Sequence, residues 1–173
     1  VRTDGFDRTR PPAWSKIRFI ASALRSNRCV LWSDADALIM NASVEIPPLL
    51  LPGIDIVLTE ARVPFRHINT GHMLFRSSAF SRLFLALVWR LEAFIHDPSW
   101  EQRAINHLVA TYRFRRLRVV PNRLLNAFGH VQNDPDPYRP GDFIIHFPGV
   151  SERLSLMQRY ASMSLAGPAP SSA

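Results

Sequence analysis

The stretch CVLWSDADALIMN, residues 29–41, decides how the chain is read. An apolar run meets Asp34-Ala35-Asp36 and then continues apolar to Asn41. Two carboxylates one residue apart repel each other and lose solvation beside a buried strand, so a positive partner is needed to hold them. On a strand, residues i and i+2 point to one face. Asp34 and Asp36 then converge on one point while Ala35 turns away. Two such oxygens suit a hard divalent cation, Mg²⁺ or Mn²⁺, that keeps open positions for phosphate. The plainer alternative is a strand that has ended, with both aspartates as solvated turn residues.

The flanking sequence reads as an alternation of helices and strands. Pro11-Pro12 opens a helix through Arg25, with Trp14, Ile17, Ala21 and Leu24 at helical spacing. Residues 44–53 carry three prolines and a glycine and allow a short helical turn at most. Ile54–Thr59 alternates and is rich in β-branched residues, a strand signal. A loop over 61–67 leads to a strand over Ile68–Phe75, and a long helix is predicted from Ser78 to His96, broken by Asp97-Pro98. Ser99–Tyr112 reads as another helix, Arg115–Val120 as a strand, 129–142 as a loop, and Phe143–Phe147 as a strand stopped by Pro148-Gly149. This alternation predicts an α/β fold, a sheet with helices on both faces. Residues 1–10 read as a loop, 11–160 as one domain, and 161–173 as a disordered Pro/Ala/Ser tail.

The 173 residues suit a single domain with its own core. The net charge of +7 is almost wholly arginine, since Lys16 is the only lysine. Arginine suits bidentate phosphate contact, which fits nucleotides, nucleic acid or an anionic surface. No compact basic-aromatic patch accompanies the charge, so no nucleic-acid partner is expected. Cys29 stands alone, which excludes an internal disulfide. No apolar run reaches the roughly 18–20 residues of a membrane span. The sequence starts without methionine and reads as a piece of a longer protein, with room upstream for an anchor or signal.

Two further constellations stand out. His146 lies in a near-continuous apolar strand, where a histidine is more often a satisfied core residue than a ligand. If it joins two carboxylates, its imidazole favours Mn²⁺ over Mg²⁺. Ser99-Trp100-Glu101-Gln102 is a capping box, with Ser99 as N-cap and Gln102 reaching back, and this leaves Glu101 unexplained.

WSDADALIMN, INTGHMLFRSS, WEQRAINHLV, VPNRLLNAF and GDFIIHFPG follow one another in that order, after the lead-in PPAWSKI. Over residues 11–150 this series resembles the retaining α-galactosyltransferases and xylosyltransferases, a family that includes fungal Golgi mannan-modifying enzymes and plant xyloglucan xylosyltransferases. The resemblance implies a GT-A fold, a Rossmann-like mixed sheet, acting on a UDP-sugar donor and an oligosaccharide or polysaccharide acceptor. Carried onto this sequence, Asp34, Asp36 and His146 hold Mn²⁺, with Asp36 as the direct carboxylate ligand. Ala35, Asn69, Thr70 and Gly71 belong to the donor site. Lys16 lies near the donor, and Gly149 lets the chain pass close to the phosphates. Gln102 stabilises the oxocarbenium-like state, and Glu101 contacts sugar or acceptor hydroxyls. The parent protein would be a type II membrane protein of the Golgi lumen, touching the membrane only through an upstream anchor.

Two features depart from the family pattern. Nothing ahead of residue 11 supplies the strand and helix that hold uracil and ribose, so the fold is expected to lack its first nucleotide-binding strand. Val150 stands after Gly149, where the family often has cysteine. The alternative reading is a catalytically silent sugar-nucleotide or glycan-binding fragment. An aspartate phosphohydrolase fits poorly, because Lys16 precedes the motif and no acidic pair follows Val120.

Overall fold

A computed structural model describes residues 7–61, 67–129 and 136–165. A 3-10 turn at Pro12–Trp14 runs into α1 (Ser15–Ala23), followed by β1 (Cys29–Ser33), β2 (Ala37–Ile39), a 3-10 turn at Pro47–Leu49, β3 (Ile56–Glu60) and β4 (Ile68–Arg76). Then come α2 (Ala79–Arg90), α3 (Trp100–Thr111), β5 (Leu117–Val120), α4 (Asn122–Leu125), β6 (Ala127–Phe128), β7 (Ile144–His146) and α5 (Arg153–Leu165).

The strands form two sheets. The first has the order β1-β4-β3-β5, with β4 antiparallel to both neighbours and β3 parallel to β5. The second has the order β2-β7-β6, antiparallel and then parallel. Among the described residues no strand precedes β1, whose outer edge carries no partner.

Strand alternation builds two cores. Ile56, Leu58, Met73 and Phe75 point to one face of the first sheet and pack with α1, α2 and α3 through Ile17, Phe84 and Ile105. Val57 and Leu74, one residue out of phase, point to the other face and meet Leu125, Phe143 and Ile144. Each such side chain contributes about 1.5–3 kcal/mol on full burial. The helical cover expected on both faces is therefore divided: the long helices α1, α2 and α3 cover one face, and the second sheet with the one-turn α4 covers the other.

Four differences from the sequence reading have local causes. The helix expected to reach His96 stops at Arg90, because Leu91 leaves helical geometry (φ −79°, ψ 66°) and packs against the core, and a 3-10 turn at Glu92–Phe94 follows. Ser99 makes no side-chain cap to α3. The tail boundary at 161 falls inside α5, which runs to Leu165, while residues 166–173 lie outside the described residues, as do 1–6, 62–66 and 130–135. The motif Asp34-Ala35-Asp36 sits in the turn after β1 and not on the strand. No described helix is long and apolar enough to cross a membrane.

Candidate active site

The Asp34–Asp36 turn is the crossing between the two sheets. The Asp34 backbone N–H donates to the Gly71 carbonyl at 2.8 Å, the last bond to the first sheet on this side. Phe147 N–H donates to the Asp36 carbonyl at 2.9 Å, and Ala37 then pairs with His146 in the second sheet. A strand ending here lets one short segment present both carboxylates at the sheet boundary. Asp34, Asp36 and His146 each offer an atom within 4.8 Å of the others.

The two aspartates differ in their partners. Asp34 is held by the Lys16 ammonium, at 3.0 Å from Oδ1 and 3.2 Å from Oδ2, and by the Trp32 indole N–H at 2.7 Å. Asp36 Oδ1 lies 3.1 Å from His146 Nε2. Asp36 and His146 therefore face each other with fewer competing contacts, and Asp34 stands beside them.

Behind the turn, Lys16 is 6% exposed and joins three groups. Besides Asp34, its Nζ lies 3.0 Å from Glu101 Oε1 and donates to the Thr70 carbonyl at 3.4 Å. Thr70 Oγ1 also donates to Glu101 Oε1 at 3.0 Å, and Thr70 N–H donates to Gln102 Oε1 at 3.1 Å. The Gln102 side chain thus meets β4, where a capping box would turn it back on Ser99. Burial pushes the Glu101 carboxyl above its ordinary value, with Lys16 opposing. Its Oε2 has no hydrogen-bond partner.

Asn69 accepts from Gly71 N–H at 2.9 Å, which closes a tight link at the head of β4. A Cβ on Gly71 would lie 2.2 Å from His146 Cε1, so only glycine lets the His146 ring sit there. Gly149 plays a different part. Its φ of +70° calls for glycine, and a Cβ there would meet open space, so the backbone turn rather than close packing explains it.

A cleft of about 750 Å³ opens beside these groups, lined by Lys16, Trp32, Asp34, Ala35 and Asp36 on one side and by Arg153, Leu154 and Met157 of α5 on the other. The structure thus joins Lys16, Asp34, Ala35, Asp36, Asn69, Thr70, Gly71, Glu101, Gln102 and His146 through direct contacts; of these Lys16, Asp34, Ala35 and Asp36 line the cleft, and Gly149 lines none of it.

Several residues escaped the sequence reading. Trp32 had a signal, its place two residues before Asp34 on one strand face. Arg153 had none. Asn126 and His72 are fully buried beside His146. Burial lowers His72 to about 4.

Solved structures share this arrangement of sheets and helices. A glycosyltransferase involved in the glycosylation of the major capsid of PBCV-1 superposes with a TM-score of 0.62 at 19% identity, covering 87% of this chain and 74% of that one. The galactosyltransferase LgtC, solved with donor and acceptor sugar analogs, gives 0.55 at 12% identity over 92% of this chain and 69% of that one. At these identities the likeness shows the fold, GT-A. No curated protein shows significant sequence similarity to the chain. The sequence signature of the galactosyl transferase GMA12/MNN10 family matches residues 55–155, more than half of the chain and the part that holds β4, α3 and His146. The chain therefore belongs to that family of glycosyltransferases.

Proposed function

We propose that this chain transfers galactose or xylose from a UDP-sugar to a glycan hydroxyl with retention, using Mn²⁺ held by Asp36 and His146 with Asp34 beside them. The observation that carries this reading is the convergence of Asp34, Asp36 and His146 within 4.8 Å, with the two aspartates lining a cleft and His146 buried behind them. Two carboxylates and one imidazole suit Mn²⁺ better than Mg²⁺. A bound divalent cation would neutralise the diphosphate and the charge that develops on it as the glycosidic bond breaks.

The chain's own groups divide the remaining work. Arg153 faces Asp36 across the cleft, where its guanidinium suits a phosphate oxygen. Lys16 anchors Asp34 and Glu101 to each other, so the metal turn and the start of α3 keep a fixed separation. Gln102 and Glu101 are placed beside Thr70, near the expected position of the donor sugar. Their polar atoms suit stabilisation of positive charge at the anomeric carbon and contact with sugar hydroxyls.

A second reading, binding of a sugar nucleotide or glycan without turnover, is favoured by one feature: the outer edge of β1 has no partner strand among the described residues. Calorimetric titration of UDP with Mn²⁺ and then with EDTA decides between these readings and neither. Binding that disappears with the metal, followed by sugar transfer, supports the enzyme. Binding without transfer supports the second reading. Asp36→Asn and His146→Ala should each weaken Mn²⁺-dependent UDP binding at least tenfold. Binding equal to the parent in both variants would remove the metal assignment.

A further inference from the structure

We infer that Asn126 is the positioning residue that locks His146 in one tautomer, with Nδ1 protonated and Nε2 bare toward Asp36. The inference rests on the reading of His146 as a metal ligand and adds to it the residue that makes the ligand competent.

Hydrogen-bond polarity can be followed from a fixed point. The Gly71 backbone N–H can only donate, so the Asn69 side-chain atom 2.9 Å from it is the amide oxygen. That same oxygen lies 3.1 Å from the Asn126 amide, whose facing atom must then be nitrogen. The other Asn126 atom is therefore Oδ1, an acceptor without a proton. It lies 2.7 Å from His146 Nδ1 and 2.7 Å from His72 Nδ1. Both ring nitrogens must carry hydrogens to make these contacts. On the far side, His72 Nε2 accepts from the Ser33 hydroxyl at 3.0 Å. His146 Nε2 instead faces Asp36 Oδ1 at 3.1 Å. With His146 neutral, that contact sets a lone pair against a carboxylate, and a cation shared between them resolves it.

Local structure fixes the amide in place. The one-turn α4 ends at Asn126, whose N–H closes the turn on the Asn122 carbonyl and whose backbone (φ −155°, ψ 41°) leaves the helix before β6 begins. Asn126 is fully buried between β4, which carries His72, and β7, which carries His146. The two rings meet edge to face at 5.0 Å, so one amide oxygen serves both without a clash. Groups that orient a metal-bound histidine through its second nitrogen typically change metal affinity 10–100-fold when removed.

The test compares the wild type with Asn126→Asp, which keeps an acceptor for both rings, and Asn126→Leu, which removes it. Mn²⁺ is added alone, and the free ion is followed by its paramagnetic resonance signal. In parallel, ¹⁵N-histidine spectra of the metal-free wild type are recorded at alkaline pH. The expected result is Nδ1–H on His72 and His146, a loss of Mn²⁺ affinity of about 10- to 100-fold in Asn126→Leu, and affinity within a few fold of wild type in Asn126→Asp. Nε2–H on His146, wild-type affinity in Asn126→Leu, or an equal loss in both variants would overturn the inference. If Asn126→Leu melts before measurement, the wild-type nitrogen spectrum decides alone. A wild type that shows the expected tautomer but takes up no Mn²⁺ would overturn the metal reading and leave the tautomer assignment standing.

Discussion

Asp55 and Glu101 are both closed off from solvent, at 1% and 2% exposure, yet their carboxyls are displaced in opposite directions. Burial raises Asp55, but hydrogen bonds from Arg116 and Ser78 and the charges of Arg116 and Arg76 outweigh it, so its pKa falls. Arg116 meets it with two bonds, Nε to Oδ2 at 2.7 Å and Nη2 to Oδ1 at 3.0 Å, and Ser78, the N-cap of α2, donates at 2.7 Å. Glu101 has Lys16 and Thr70 on one oxygen and nothing on the other. An unpaired buried oxygen costs about 1–3 kcal/mol. The first carboxylate ties the lead into β3, the lead into β5 and the start of α2 together, with every acceptor used. The second keeps an open acceptor and shares its counter-ion with Asp34. That incompleteness is what separates Glu101, placed in the proposed site, from the fully paired clamp at Asp55.

The largest effect expected is on the clamp. Asp55→Ala strands Arg116 and Ser78 and should destabilise the fold by about 3 kcal/mol, at the lower end for a broken buried pair because Arg116 is half exposed. The urea midpoint should fall with the slope unchanged. Because the folded pKa of Asp55 lies below its unfolded value, its contribution is present above the unfolded pKa and disappears as pH falls through the folded one. The acid limb of the stability curve should therefore flatten in the variant. A midpoint within error of wild type would show that the clamp is ornamental.

Glu101→Gln should behave in the opposite way. Removing a buried charge of raised pKa is expected to shift stability by less than about 1 kcal/mol, while sugar transfer falls more than tenfold and Mn²⁺ affinity is kept. The pH sign reverses too: with its folded pKa raised, Glu101 weakens the fold as pH climbs from the unfolded pKa to the folded one, and the glutamine variant should not show this decline. A loss of stability equal to that of Asp55→Ala, with transfer intact, would place both carboxylates in one structural class.

The same contrast governs what the sequence disclosed. Ile56, Val57 and Leu58 alternate between the two cores, and that period makes β3 readable by eye. Of the second sheet only β7 is legible in the sequence, inside the strand expected over Phe143–Phe147, while β2 and β6 have three and two residues, too few to set a pattern. Asp34 and Asp36 are legible as a cation-binding pair from their spacing in the sequence alone, whereas His146 by itself reads as a core histidine and joins them only through the resemblance. Asp55 gave no sign, as its partner Arg116 is 61 positions away. Asn126 likewise acts on His72 and His146, 54 and 20 positions away, a role that exists only after β4 and β7 come together. The helix α5 was missed because its apolar residues do not gather on one face: Leu154 is 70% and Met163 57% exposed.

The smallest effect concerns the backbone next to Glu101. Among the described residues, Trp100 is the non-glycine residue with positive φ, at 46°, and its side chain is 46% exposed. For an L-residue this conformation costs about 1–2 kcal/mol, and glycine would remove that strain while losing about 0.5–1 kcal/mol through its greater freedom when unfolded. Trp100→Gly should therefore raise the melting temperature slightly, by the equivalent of less than about 1 kcal/mol. Strain retained beside an incompletely paired carboxylate, where relief is one substitution away, is what a functional segment permits and a clamp does not. A lower melting temperature would mean that contacts of the indole outweigh the strain. Trp100 would then belong with Asp55 on the structural side of the comparison.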